Sequence, residues 1–398
     1  MAVPLAYASG NDLLQMLRAQ IGTRFNQDVI RYMFFKSQCQ WICIGIAILV
    51  WGGQVGGDDL RLNQIQTIGT HNSYHLAPPQ EVLSFLALGS QRSAEALDYS
   101  HRPIAEQLGS MKVRQLEFDL YADPQGGLFS NPVAYRKDRD AEGSEEPDPN
   151  AGGLLDQPGF KVLHSVDFDY RTTTATFVKA LQEIREWSKA NPRHIPILVL
   201  VELKDTAVGP VQVKPVRIDS EQLAEVDKEI RSVFSTSEMI LPDDVRADCE
   251  TLREAIKIKG WPKLNDCRGR VWFALDNEGA LPRKYLDGHP SLRKRVMFVS
   301  MGMDHPASAF LKLNDPVSDF ERIQHAVRAG FIVRTRADSE TVQARQNDIS
   351  RRDRAFESGA QYISTDYPVA NERLSDYRVC LPGDLTYRVN PLAGRGER

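Results

Sequence analysis

Glu117 and Asp119, at alternate positions of the apolar run LEFDLY, set the first chemical problem in this chain. Residues two apart in a strand face the same side, so both carboxylates point into whatever that strand buries, where uncompensated charge is costly. A bound cation is the natural remedy, and an internal salt bridge is the alternative. Glu202 repeats the problem inside ILVLVELKD, where it either pairs with Lys204 or ligates the same cation. His71 with Asn72 beside it, and His164, fall at the ends of other apolar runs, and Asp276, Arg334, Arg336 and Asp366 close further ones. Singly, each has a plain reading. A lone histidine after a strand is more often capped or at the surface than catalytic, and Arg334 and Arg336 can simply pair with Asp366 or Asp338. If Glu117, Asp119, Glu202 and the Asn72 carbonyl converge, the donors are all oxygen, which suits Ca²⁺ or Mg²⁺ and not zinc. Two histidines beside such an ion suit phosphoryl transfer, with the ion polarising a phosphate oxygen and imidazoles stabilising charge and protonating a leaving oxygen.

Convergence requires a scaffold that gathers strand ends. From Ile65 on, short aliphatic runs alternate with longer stretches of helical period. Eight such runs are present: Ile65–Thr70, Val113–Tyr121, Lys161–Ser165, Ile195–Asp205, Val271–Asp276, Val296–Met301, Phe331–Ala337 and Tyr362–Tyr367. Helices are expected over Thr176–Ala190, Glu221–Phe234, Asp319–Ala329 and Glu340–Ser358, with Gly330 and Gly359 at their C-terminal caps. Repeated strand-then-helix order with eight strands predicts an α/β fold, a closed (β/α)₈ TIM-type barrel forming a single catalytic domain, whose C-terminal rim collects every residue named above. An open doubly wound sheet is the rival. An acidic insertion at about 123–159, rich in Asp, Glu, Pro and Gly, is expected to be solvated, a hairpin is expected over Gly209–Arg217, and the segment after Tyr367 is expected to pack outside the barrel.

The chain has 398 residues, 42% of them apolar, and a formal net charge of −4. No global positive field draws it to nucleic acid, and an anionic substrate must be captured locally. Trp41–Trp51 is an unbroken apolar run behind Lys36, about half the span of a bilayer core. Residues 1–57 therefore read as a leader with a signal peptide or hydrophobic anchor, and 58–398 as the catalytic barrel. A secreted or periplasmic protein is expected, with a membrane-anchored one as the alternative. Cys249 and Cys267 either bridge, leaving Cys380 unpaired, or stay as thiols.

IGTHNSYH, LEFDLY, the strand-end His164 and LVLVELKD, in that order, resemble the signature strands of phosphoinositide-specific phospholipases C, above all their compact, calcium-dependent microbial branch. The resemblance runs from about Leu60 to Tyr367. It implies a phospholipase C-like phosphodiesterase barrel acting on an inositol phospholipid at a membrane surface, and it implies nothing about a protein partner. It also implies that His71 and His164 are the catalytic pair and that Asn72, Glu117, Asp119 and Glu202 hold Ca²⁺. The inositol 2-hydroxyl would attack the adjacent phosphodiester, releasing diacylglycerol and a cyclic inositol phosphate that water can open. His164 would protonate the diacylglycerol oxygen, His71 would support the charged phosphorus, and Glu117 or Glu202 would be the base. Lys204 and Arg334 resemble basic positions that contact inositol phosphates. Membrane engagement is expected from the rim, where Phe85, Leu86 and Leu88 are either an apolar ridge or core. Two rivals remain. A glycerophosphodiester phosphodiesterase shares much of this set but usually opens His-Arg-Gly where this chain has His71-Asn72-Ser73, and an inactive barrel that binds inositol lipids would have no need of both histidines.

Overall fold

Eight parallel strands carry the architecture of the computed structural model, in which residues 60–139, 146–207 and 211–393 are described. The expected leader, with Trp41–Trp51, lies outside the described residues, as does the middle of the acidic insertion. The strands are β1 (Ile65–Thr70), β2 (Gln115–Tyr121), β3 (Lys161–Val162), β4 (Ile197–Lys204), β5 (Val271–Leu275), β6 (Met297–Val299), β7 (Phe310–Lys312), β8 (Ile332–Arg336), β9 (Tyr362–Thr365) and β10 (Arg388–Val389). The parallel order is β6-β5-β4-β2-β1-β9-β8-β7. Its two ends meet at a parallel bridge between Ser300 and Phe310, so the sheet is a nearly closed barrel. These strands are buried on both faces, which is why their sequences read as continuous apolar runs instead of alternating ones.

Two strands differ from the sequence reading. Lys161–Ser165 has the composition of a barrel stave, but only Lys161–Val162 is a strand, and it pairs antiparallel with Tyr121 and Leu120 at the end of β2. The eighth stave is β7, three residues long and paired with β8 through Phe310↔Ile332 and Lys312↔Arg334. The lower end of the barrel is plugged by aromatic rings: Trp272 lies 5.7 Å from Trp261, 5.4 Å from Phe298 and 5.7 Å from Tyr362, centroid to centroid. Truncating a buried tryptophan of this kind costs about 3–5 kcal/mol. The plug leaves the opposite, C-terminal rim as the open end.

Helices follow the expected periods. In α2 (Phe177–Ala190) the buried positions Phe177, Ala180, Leu181 and Ile184 make one stripe, and Thr176 caps the start by accepting from the Lys179 N–H. Helix α3 (Ser220–Val233) opens with a capping box between Asp219 and Gln222. Helix α4 (Phe320–Arg328) is followed by Gly330 at φ 92°, a left-handed conformation that glycine adopts without strain. The expected helix over Glu340–Ser358 is two, α5 (Val342–Gln346) and α6 (Ser350–Glu357), broken where Asn347 turns to φ 51°. Ahead of these, helix α1 (Gln80–Gly89) follows β1 on the rim side.

The acidic insertion is not wholly solvated. Its apolar flanks bury Phe129, Val133, Ala134, Tyr135 and Leu155, with Ala134 and Tyr135 packing against Val82 and Tyr170 and Phe129 against Tyr121 and Leu163, because the Asp/Glu/Pro-rich composition belongs to the middle alone. No strand forms among the described residues of Gly209–Arg217, so the expected hairpin is absent there. The tail packs as expected: β10 pairs antiparallel with the start of β1, and Tyr377, Val379 and Leu381 are buried. Cys249, Cys267 and Cys380 are free thiols. Among the described residues, no helix is long and apolar enough to cross a membrane.

Candidate active site

Parallel register brings the acidic positions together. Asp119 is paired with Glu202 and Tyr121 with Lys204 across β2 and β4, so two carboxylates and an ammonium share one stretch of the rim. The turn after β1 is laced to β2: Ser73 N–H donates to Glu117 O at 2.9 Å and Ser73 Oγ accepts from Glu117 N–H at 2.8 Å. Asn72, at φ 43°, makes the left-handed step that turns the chain there. Its side chain is buried and its Oδ1 meets no donor.

Four carboxylates, from Glu117, Asp119, Glu202 and Asp276, face three cations. Lys204 Nζ lies 3.2 Å from Asp119 Oδ2 and 3.1 Å from Glu202 Oε2. Lys312 Nζ lies 2.9 Å from Asp276 Oδ2. Arg334, 1% exposed, donates to Glu117 Oε2, to Asn314 Oδ1 at 2.6 Å and to Ser364 Oγ at 3.0 Å. Burial pushes the Glu117 and Asp119 carboxyls well above their ordinary range in spite of Arg334 and Lys204. The carboxylates of Asp119 and Glu202 outweigh burial at Lys204 and raise its pKa.

These donors fit a hard divalent ion. Oxygens of Glu117, Glu202 and Asp276 lie within 4.8 Å of one another, and Asn72 Oδ1, Asp276 Oδ1 and Asp119 Oδ1 are buried without a hydrogen bond. Orphaned oxygens and carboxylates pushed towards neutrality are what a cation's place looks like before the cation is bound, and the all-oxygen set suits calcium. Asp276 is the member of this group that the sequence reading noted at a strand end without assigning it to the metal.

Two histidine–aspartate pairs border the carboxylates. His71 Nδ1 is 2.8 Å from Asp366 Oδ1, and its Nε2 is 3.2 Å from Arg336 Nη1 and 3.8 Å from Glu117 Oε1. Burial and the Arg336 charge push the His71 pKa down to about 3, so the ring is neutral, with its hydrogen on Nδ1 towards Asp366 and its Nε2 lone pair towards Arg336. Arg336 also reaches Asp366 Oδ2 at 3.2 Å. Asp366 is fixed in turn by Asp338, whose Oδ1 accepts the Asp366 N–H at 2.9 Å. His164, in the turn after β3, sets Nδ1 2.6 Å from Asp169 Oδ2. Asp169 outweighs burial there and raises the His164 pKa.

All eight residues singled out from the sequence, His71, Asn72, Glu117, Asp119, His164, Glu202, Lys204 and Arg334, therefore belong to strands or turns of this rim. Arg334 is buried and spends its guanidinium on Glu117, Asn314 and Ser364 inside the barrel. Sequence reasoning left Asp169 unmentioned and gave His75 no role. Lys312 went unseen because its strand was unseen. Asp366 and Arg336 were visible at strand ends, and only their pairing was open.

A sequence model of the family described as phosphoinositide phospholipase C, Ca²⁺-dependent, matches residues 60–391. None of the curated proteins compared with the chain matches it. Among solved structures the chain is similar to a calcium-dependent phosphoinositol-specific phospholipase C from a Gram-negative Pseudomonas, solved in apo form and as a myo-inositol complex, at 15% identity and TM-score 0.52, covering 84% of this chain and 96% of that one. It is also similar to a Ca²⁺-dependent phosphatidylinositol-specific phospholipase C from Streptomyces antibioticus, at 16% identity and TM-score 0.49, covering 78% of this chain and 95% of that one. At such identities the structural likeness speaks for the barrel alone. The barrel and the family match together define a phosphoric diester hydrolase. The chain belongs to the Ca²⁺-dependent phosphoinositide phospholipase C family.

Proposed function

We propose that this enzyme cleaves phosphatidylinositol-type lipids at a membrane surface, by attack of the inositol 2-hydroxyl on its own phosphodiester, with Ca²⁺ held by Asn72, Glu117, Asp119 and Glu202 and with Asp276 beside them. The observation that carries the reading is the group of buried, under-compensated oxygens flanked by two histidines of opposite character. Calcium, when bound, supplies positive charge to the phosphate and acidifies the hydroxyl. The 2-hydroxyl oxygen forms the new bond to phosphorus, its proton passes to a carboxylate of the Glu117/Glu202 pair, and the bond to the glycerol oxygen breaks. His164, with Nδ1 committed to Asp169, hands the Nε2 proton to that oxygen, giving diacylglycerol and a cyclic inositol phosphate. At the other corner the charge support expected of His71 comes from the His71–Arg336 pair, with the guanidinium as donor. Lys204, a quarter exposed beside Glu202, is the basic side chain open to the inositol phosphate.

Helix α1 supports the membrane part of the reading. Phe85 and Leu88 are 60% and 87% exposed, while Leu86 packs inward against the cluster of Val82 and Tyr170. Two unpartnered apolar side chains on a rim helix suit insertion at the headgroup boundary. Phe85→Ser with Leu88→Ser is expected to lower turnover on phosphatidylinositol vesicles about tenfold or more and to leave turnover of a soluble inositol phosphodiester unchanged, and equal loss on both would remove the ridge from the account. Export from the cell stays part of the proposal, resting on the apolar run Trp41–Trp51.

The deciding experiment is phosphorus NMR of products from phosphatidylinositol micelles and from glycerophosphoinositol, after chelation and re-addition of Ca²⁺ or Mg²⁺. Cyclic inositol phosphate from the lipid with Ca²⁺ is expected. Glycerol phosphate from the deacylated substrate alone, restored by Mg²⁺, would move the enzyme to glycerophosphodiester cleavage, and silence in every tube would leave a lipid-binding barrel.

A further inference from the structure

The carboxylate that holds His164 is itself held from behind. His75 Nε2 lies 3.0 Å and 3.1 Å from the two oxygens of Asp169. His75 is fully buried, stacks on Tyr99 at 4.3 Å between centroids and meets the His164 ring edge-on at 5.7 Å. Its Nδ1 lies 3.1 Å from Tyr99 O, and a carbonyl and a carboxylate can only accept, so making both contacts takes a hydrogen on Nδ1 and another on the Nε2 turned to Asp169. Backbone pairing fixes both partners. His75 bridges antiparallel to Thr172 and Ser165 bridges antiparallel to Asp169, and Thr173 N–H donates to Tyr74 O at 2.8 Å. His75 O in turn accepts from the His101 N–H at 2.8 Å, and His101 Nε2 reaches His71 O at 2.8 Å, so the same buried residues tie the two catalytic corners together.

We propose that His75 is a positioning residue for proton delivery: by gripping both oxygens of Asp169 it fixes the plane of that carboxylate and so aims the Nε2 edge of His164 at the leaving glycerol oxygen. This rests on the reading of His164 as the proton donor. A carboxylate gripped at one oxygen turns about its Cβ–Cγ bond, and the imidazole it orients turns with it. An acid displaced by about 1 Å loses on the order of a hundredfold in rate. The groups that face His164 are Asp169, His75, Asp119 and Lys204, and of these His75 is the one that hydrogen-bonds Asp169 as well.

A buried ion pair of purely structural worth would slow every substrate alike when broken. The discriminating probes are two soluble inositol 1-phosphodiesters with Ca²⁺, one with a butyl and one with a p-nitrophenyl leaving group, because nitrophenolate departs without a proton. His75→Asn is expected to lower kcat for the butyl ester about 10- to 100-fold with KM little changed, and to leave the nitrophenyl ester within about threefold. His75→Gln, whose longer amide reaches towards Asp169, should restore part of the loss. An unchanged butyl-to-nitrophenyl ratio in His75→Asn overturns the inference while the enzyme's activity stands. A native enzyme inert on both esters overturns instead the phospholipase reading on which it rests. Should both variants fail to fold, histidine ¹⁵N NMR of the native protein decides: a hydrogen on His75 Nε2 directed at Asp169 is expected, and a bare Nε2 overturns the proposal.

Discussion

His71 and His164 each turn Nδ1 to an aspartate, at 2.8 Å and 2.6 Å, yet their surroundings drive them in opposite directions. Burial and Arg336 push His71 down to about 3, whereas Asp169 prevails over burial and raises His164. Each aspartate has a second cationic or imidazole partner, and the placement of that partner makes the difference. Arg336 straddles its pair, touching Asp366 and the Nε2 of His71 alike, so its charge bears on the imidazole itself. His75 hydrogen-bonds the aspartate of its pair and not the imidazole, and leaves the Nε2 of His164 free. The same dyad becomes a neutral, saturated ring in one case and a proton donor with an open edge in the other.

The largest test of that contrast removes each ring. His164→Ala is expected to lose about 10²- to 10⁴-fold on an alkyl leaving group and most of that loss should vanish on nitrophenyl. His71→Ala should lose a comparable factor on both, since its corner serves the phosphoryl charge and not the departing oxygen. Identical leaving-group dependence in steady-state assays of the two variants would break the comparison.

A smaller effect concerns pH. His164 acts in its protonated form, so activity is lost as pH rises through its raised pKa. Asp169→Asn removes the charge that raises it, and the alkaline limb of kcat/KM should move to lower pH. Asp366→Asn should lower the rate without moving that limb. A limb that moves in both variants, or in neither, would separate the rate loss from the proton donor.

Much of this site was readable before the fold was known, because carboxylates inside apolar strands have few inexpensive explanations. Glu117, Asp119 and Glu202 announced a cation through that cost, and eight aliphatic runs announced a barrel. What stayed hidden is physical in origin. Phe310–Lys312 is three residues long and sealed to β6 by one bridge, too short for any period to register. Lys161–Ser165 has a stave's composition, and composition does not reveal whether a strand pairs parallel or antiparallel. The Arg334–Glu117 pair spans 217 residues, and nothing local in either strand names the other. Asp169 sits five residues after His164 in a loop, where an aspartate is ordinary.

The smallest effect is one of stability, and it separates the two histidines with substrate and calcium both absent. In chelator, folded His71 stays neutral down to about pH 3 while an unfolded histidine takes up its proton near 6.5. The unfolded chain therefore binds more protons between those values, and the His71 contribution, present above pH 6.5, is lost as pH falls through the window. His164 has the opposite sign: its folded pKa is raised, so its contribution is full below 6.5 and is lost as pH rises through the folded value. Urea unfolding from pH 4 to 8 should show His71→Gln flattening the acid side, by about 1.4 kcal/mol per pH unit at most, and His164→Gln flattening the alkaline side. Curves that flatten on the same side would mean that Arg336 does not set His71 apart, and the two dyads would then be one device used twice.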